Sequence, residues 1–301
     1  MSCKTVFYAL GTENSITTVE DNSADAISKV ANRVFEIEEK MSAFRETSEI
    51  SKIARNAGIC PTAVSEDVYF VLEKALEISR ASCGAFDITV RPLTRLWNIS
   101  RGIDSVPEKA EIEAIKGYVG YQSLILDSKA KTAFLTRPGS AIDLGGIAKG
   151  YAADEAKRIL KEHNIKSALI NFGGNIMVLG QSPETAPRKI GIQNPLSERG
   201  ACALTIDVSD KAVVTSAVNE RFFIDKGIRY HHILNPLTGF PAQCGLLSAT
   251  IIDVSSLLAD ALSTALFVLG AEQGMKLVRK YNSEAILITD AGDILSSFTL
   301  N

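Results

Sequence analysis

From Leu257 to Leu269 the chain reads Leu-Leu-Ala-Asp-Ala-Leu-Ser-Thr-Ala-Leu-Phe-Val-Leu and stops at Gly270. As a helix, with Ser255 or Ser256 as its cap, this run is apolar almost all round and must be wrapped on every side. It falls short of the roughly 20 residues that cross a membrane, so the wrapping has to come from the rest of the chain. With 301 residues there is enough chain to do it. Only Asp260, Ser263 and Thr264 interrupt the apolar surface, and the two hydroxyls follow the carboxylate at i+3 and i+4, on its own side. A buried carboxylate is costly without partners. Two explanations stay open: three hard oxygens give magnesium a wall, where zinc would want Cys or His, or the hydroxyls simply hydrogen-bond the acid.

A second stretch, Ala141-Ile142-Asp143-Leu144-Gly145-Gly146-Ile147-Ala148-Lys149-Gly150-Tyr151, leads into a run with Ala156, Ile159 and Leu160 at helical spacing. It predicts a turn opening a helix. Glycines permit close backbone approach, and the amino end of a helix favours a phosphate, to which Lys149 adds a point charge. An ordinary glycine-rich connection with a solvated lysine is the competing explanation. Neither G-x-x-x-x-G-K-[ST] nor G-x-G-x-x-G is present.

Composition excludes several classes. A net charge of −3 without a basic stripe argues against a nucleic-acid binder. The 5 cysteines are widely spaced and contain no C-x-x-C pair, so reduced thiols are expected. The apolar patch near Met1 is shorter than a signal sequence, and no run is long enough for a membrane span. A cytoplasmic protein is expected, and one cut from its leader would read the same.

Taken in order, Thr5 to Leu10 and Ser15 to Val19 predict two strands about a turn, and Asp21 to Ser23 cap a helix bearing Ile27, Val30, Val34, Ile37 and Met41. Ser42 to Ile50 is a polar turn exposing Phe44. Ser65 opens a helix to about Ser82. In Gly84-Ala85-Phe86-Asp87, Asp87 lies between apolar neighbours, where a capping role would explain it. Pro107 starts a short helix ending near Tyr118. Strands follow over 123–127 and 132–136, and over 167–172 and 176–179 about Gly173-Gly174. Pro183 to Arg188 is a loop, after which strands are expected over 189–193, 203–208 and 248–253. Glu272 to Tyr281 is a helix, and strands over 285–289 and 294–298 close the chain. His231 and His232 are adjacent in an expected strand and face opposite ways, so at most one reaches a pocket. A histidine there is either packed or a proton acceptor.

Taken together, Ala9-Leu10-Gly11-Thr12, Met41-Ser42-Ala43-Phe44 with Ser48-Glu49-Ile50, Gly84-Ala85-Phe86-Asp87, Asp143 to Gly150, Asn171-Phe172-Gly173-Gly174-Asn175, Thr215-Ser216, His231-His232-Ile233 and Ala259 to Ala265 resemble the ApbE-like FAD:protein FMN transferase family. The resemblance covers essentially the whole chain. It implies an α+β fold of largely antiparallel sheets packed with core helices, T-fold-like, with residues 1–301 forming one catalytic domain of two interlocked subdomains around an FAD cleft. It further implies FAD contacts at Leu10, Phe44, Ala85, Phe86, Asp87, Asp143, Lys149 and Ile233. Magnesium would be bound by Gly146, Asp260, Ser263 and Thr264, with Asp260 and His232 serving catalysis and His232 as base. FMN would pass from FAD to a threonine of a separate acceptor flavoprotein, with release of AMP. A magnesium-dependent FAD pyrophosphatase and a non-catalytic flavin-binding protein are the alternatives. Leu10, Phe44, Ala217 and Asn235 stand where the family more often has Met, Tyr, Gly and Asp.

Overall fold

The computed structural model describes residues 3–20, 23–99, 105–181, 186–198 and 200–300. The chain opens with β1 (Cys3–Ala9), β2 (Thr12–Thr18), α1 (Ala24–Met41), α2 (Glu49–Arg55), β3 (Thr62–Ala63), α3 (Glu66–Ala81), α4 (Arg91–Trp97) and α5 (Lys109–Lys116). It continues through β4 (Leu124–Asp127), β5 (Thr132–Leu135), α6 (Ala148–Glu162), β6 (Ala168–Phe172), β7 (Asn175–Leu179), β8 (Arg188–Gln193) and β9 (Cys202–Val208). It closes with β10 (Ala212–Ala217), β11 (Phe222–Asp225), β12 (Ile228–His231), β13 (Leu246–Asp253), α7 (Ser256–Lys280), β14 (Glu284–Thr289) and β15 (Ile294–Ser296).

Eight strands form one antiparallel sheet in the order β1-β2-β6-β7-β10-β13-β14-β15. One face carries α1, α6 and α7, and Ile16, Ile170, Met177, Val214 and Ile251 meet Val30, Ala156, Leu262 and Leu266 in the main core. The β8–β9 hairpin covers part of the other face with Ile190, Ile192 and Val208 against Val213, Ile252 and Ile286. A third cluster joins α4, α5 and β11 through Leu93, Trp97, Ile112 and Phe223, and Trp97 Nε1 donates to the Gly239 carbonyl at 2.7 Å.

The apolar run of α7 is buried on all sides, as its composition demands. Gly270, at φ 77° and ψ 175°, breaks the helix where the sequence placed its end. The β1–β2 and β6–β7 connections are both two-residue turns, with positive φ at Leu10 and Gly11 and at Gly173 and Gly174. Such mirror-image turns match strand twist, so the Gly-Gly pair serves a hairpin.

Elsewhere the structure departs from the sequence reading. Ser23 flanks α1, but its hydroxyl meets Thr18 Oγ1 at 2.7 Å and caps nothing, while Asp21 and Asn22 lie outside the described residues. The supposed polar turn ends in α2, capped by Ser48 Oγ, which accepts the Ser51 N–H at 3.0 Å. The helix α4 had no periodic signal in so short a segment. For α5 the cap is Glu108, paired with Glu111 in a capping box, and Pro107 sits just outside. His231 ends β12 and His232 lies beyond it. Of the expected loop from Pro183 to Arg188, residues 183–185 fall outside the described residues, and Arg188 already opens β8.

Candidate active site

The glycine turn and the core helix face one another. Leu144 turns its carbonyl to the Ile147 and Ala148 amides, at 3.0 and 2.8 Å, and starts α6. The Gly150 N–H, three residues in, donates to Asp260 Oδ2 of α7 at 2.9 Å. A Cβ at Gly150 would lie 2.3 Å from the Ser256 carbonyl oxygen, so only glycine lets the two helices come this close. In return α6 caps α7: Asp154 accepts the Ser256 and Leu257 amides at 2.8 and 3.0 Å and the Ser255 hydroxyl at 2.9 Å. Each helix therefore supplies the carboxylate that satisfies amide donors of the other. No motif in the sequence marked Asp154 for that work.

Burial pushes the Asp260 carboxyl up from its ordinary value, opposed by the Lys149 charge and the Gly150 N–H. Ser263 is fully buried, its hydroxyl donating to the Asp260 carbonyl at 2.9 Å and sharing a 2.9 Å bond with Ser216 Oγ. Ser216, on β10, also lies 3.3 Å from Thr264 Oγ1, and it belongs to the site although only the family likeness had pointed to its Thr-Ser pair. A Cβ on Gly146 would lie 3.3 Å from both Thr264 Oγ1 and Phe86 Cε2, which brings the turn, the hydroxyl wall and the Phe86 ring to one place. Among the described residues no three His, Cys, Asp or Glu side chains converge on a common point. A cation here would meet one carboxylate and neutral oxygens. Such a donor set fits magnesium, which commonly takes one or two carboxylates and completes its shell with water and phosphate.

The other candidate residues divide. Asp143 accepts the Gly145 N–H at 3.0 Å on Oδ1, and on Oδ2 the Arg91 guanidinium at 3.3 Å and the Thr94 hydroxyl at 3.2 Å. Arg91 also lies 4.1 Å from the centroid of Phe44, which is 61% exposed. Neither Arg91 nor Thr94 had stood out in the sequence. Ala85, Phe86 and Asp87 are buried, and the Asp87 carboxylate is spent on the Thr89 amide and hydroxyl and the Tyr121 amide, at 2.7 to 2.8 Å. It caps no helix, since α4 is flanked by Val90 without a side-chain cap, and instead closes the turn at Thr89 and holds the Tyr121 amide. Burial still pushes its carboxyl up. Leu10 sits at the tip of β1–β2 beside the β6–β7 turn, since a Cβ on Gly173 would come 2.5 Å from Thr12 Cγ2. That edge reaches α7 through Ser256 Oγ, which donates to Asn175 Oδ1 at 2.7 Å.

The two histidines are told apart. His231 is buried, with Nε2 2.9 Å from the Ala242 carbonyl and Nδ1 accepting the Ile233 amide at 3.3 Å, its ring edge-on to Phe267. It is a satisfied core residue, and Ile233 is buried beside it. His232 is half-buried, with Nδ1 3.3 Å from the Arg221 carbonyl. A carbonyl can only accept, so the proton is on Nδ1 and Nε2 keeps its lone pair. Burial is the main cause that pushes His232 down to about 4, and the Lys149 charge adds to it. The same lysine acts electrostatically on His232 and Asp260, so all three belong to one field.

The sequence model of the ApbE family matches residues 10–287. An FAD:protein FMN transferase of Klebsiella pneumoniae (strain 342) is 36% identical over 273 residues, covering 89% of this chain and 84% of its own length. The enzyme of that name from Treponema pallidum (strain Nichols) is 35% identical over 269 residues, covering 85% and 74%. Among solved structures, the ApbE protein of Thermotoga maritima superposes with a TM-score of 0.91 at 31% identity, over 99% of this chain and 97% of that one.

Proposed function

The chain belongs to the ApbE family, and we propose that it is a magnesium-dependent FAD:protein FMN transferase, moving FMN from FAD to a threonine of an acceptor flavoprotein with release of AMP. The observation that carries the proposal is the 2.9 Å contact of the Gly150 amide with Asp260, which sets the phosphate-receptive turn against the oxygen-bearing wall of α7.

In this reading Phe44 offers its exposed ring to the flavin, and the backbone at Ala85, Phe86 and Asp87, with Leu10 and Ile233, borders the dinucleotide. Asp143 holds a polar group of FAD, and Lys149 pairs with the diphosphate. Asp260, Thr264 and the Gly146 carbonyl would hold magnesium directly, and Ser263 would join them by giving up one of its present bonds. When bound, the cation neutralises diphosphate charge and favours attack at phosphorus. His232 Nε2 takes the proton of the threonine hydroxyl as its oxygen bonds to the FMN phosphorus and the bond from that phosphorus to the AMP oxygen breaks. Burial is the main cause that depresses His232, and a diphosphate beside Lys149 would offset only the lesser part that comes from that charge. A positioned base of this kind is worth about 100- to 10,000-fold in rate. Cys60, Cys83, Cys202 and Cys244 are free, and among the described residues no helix is long and apolar enough to cross a membrane. Free thiols suit work in the reducing cytoplasm.

The test is incubation with FAD, magnesium and an acceptor domain. A covalently fluorescent acceptor and one AMP per flavin transferred are expected, and a chelator should stop both. AMP release at the same rate without acceptor would identify a pyrophosphatase instead, and tight FAD binding with no AMP a flavin carrier.

A further inference from the structure

Arg91 touches three parts of the cleft from the first turn of α4. Its guanidinium lies 4.1 Å from the Phe44 centroid, 3.3 Å from Asp143 Oδ2, and donates to the Ala43 carbonyl at 3.4 Å. The ion pair is mostly shielded, with the side chains 12% and 18% exposed. The α1–α2 loop, the start of α4 and the glycine turn are joined through this one planar cation. We infer that Arg91 is a positioning and affinity residue for FAD, holding Phe44 as a fixed platform and neutralising Asp143 beside the diphosphate.

Each half has a physical cause. Phe44 is exposed on a polar loop, and a free ring there would lose rotamer freedom on stacking against a flavin. With a guanidinium 4.1 Å from its centroid the ring is already held, yet it remains 61% exposed, so part of that ordering is complete before substrate arrives. Asp143 sits two residues before the Gly145-Gly146 pair, and a bare carboxylate there would repel a dianionic diphosphate. The Arg91 charge removes most of that repulsion, and Thr94 and the Gly145 amide hold the carboxylate in a single orientation. Arginine suits both tasks because its flat fork stacks and pairs at once, which a lysine ammonium cannot do.

This inference rests on the proposed function, and one set of measurements separates the two. FAD binding is read by quenching of flavin fluorescence in chelator for the parent, R91K, R91Q, F44L, D143N, R91Q/F44L and R91Q/D143N, and turnover is read with magnesium and acceptor. R91Q should weaken FAD binding about tenfold, the scale of an exposed cation–π contact plus a shielded ion pair, with kcat at saturating FAD changed less than about twofold. R91K should recover the Asp143 part alone. Its Kd should lie between those of parent and R91Q, and R91Q should cost clearly less in the F44L and D143N backgrounds than in the parent. Losses that multiply independently in both double variants, or unchanged binding in R91Q, would overturn the role of Arg91 while leaving the transferase intact. If R91Q is poorly folded by circular dichroism, R91K carries the test, and binding equal to the parent then refutes the need for a planar cation. A parent that binds FAD with the expected coupling but transfers no FMN would refute the function and leave Arg91 standing. A parent that binds no FAD refutes both.

Discussion

Replacing Gly150 with alanine sets two effects of opposite sign against each other. Inside a helix, alanine is ordinarily better than glycine by about 1 kcal/mol. At this position the new Cβ would sit 2.3 Å from the Ser256 carbonyl oxygen and 2.8 Å from Asp260 Cβ, where real contacts essentially never fall below 3.0 Å. The obstructing atoms are backbone, so α6 and α7 must part by at least about 0.7 Å in a close-packed interior. Overpacking of that kind costs about 1–3 kcal/mol. Stretching the Gly150 amide away from Asp260 adds about 1–3 kcal/mol more, because the bond is buried and charge-assisted. The clash wins by about 1–5 kcal/mol. At an unfolding entropy of about 2 cal/mol/K per residue, the midpoint of a chain this long should fall by roughly 2–8 °C. Urea and thermal denaturation followed by circular dichroism measure this, with G117A as control, since Gly117 has helical φ and only an ordinary 3.4 Å contact at its would-be Cβ. If G150A were as stable as G117A and turned over like the parent, the close helix crossing would not be what shapes this site.

Other perturbations separate structure from chemistry. Burial raises the Asp260 carboxyl, so its charged form costs stability that the protonated form does not, and that cost appears as pH rises through the folded value. D260N should therefore melt no lower than the parent at pH 7 while magnesium-dependent transfer drops more than about 100-fold, and transfer within tenfold of the parent would remove Asp260 from the mechanism. H232Q should keep FAD affinity and lose about 100-fold or more in transfer, seen as AMP released per unit time at saturating FAD. Because the folded His232 is pushed down to about 4, kcat/KM should stay flat from pH 8 to about 5 and fall below that. The same shift makes the folded chain lose stability as pH drops from the unfolded value of 6.5 through about 4, and a free-enzyme pKa near 6.5 would contradict it. S216A should raise the magnesium needed for half-maximal rate about tenfold through its contacts with Ser263 and Thr264, with FAD binding in chelator unchanged.

Much of this fold was legible because the strongest signals were long and periodic. The stripes of α1 and α3, the apolar run of α7 and the antiparallel strand pairs all formed, since burial of those faces determines their partners. The helices α2 and α4, of 7 residues each, were too short for periodicity to show. Asp260, Ser263 and Thr264 could be picked out as the polar side of α7, and Gly145 to Gly150 as a turn opening α6, because a polar group in an apolar run requires a partner. What pairs with them could not. Ser216, Arg91 and Thr94 reach the site from elements distant in sequence, the α7 partners of Asp154 lie about 100 residues away, and an ordinary arginine or serine carries no local mark of where tertiary structure will send it. The adjacent histidines were separable only once their carbonyl partners, Ala242 and Arg221, were in view.

If a divalent ion binds at Asp260 as proposed, the mutual carboxylate exchange between α6 and α7 gives the chain a built-in gauge of its own loading. Gly150's amide proton can exchange with solvent only when Asp260 lets it go, so a divalent ion that draws Oδ2 away should speed deuterium uptake there, whereas one seated on Oδ1 alone should slow it. A single backbone resonance thus reports which oxygen the ion claims, without any turnover being measured.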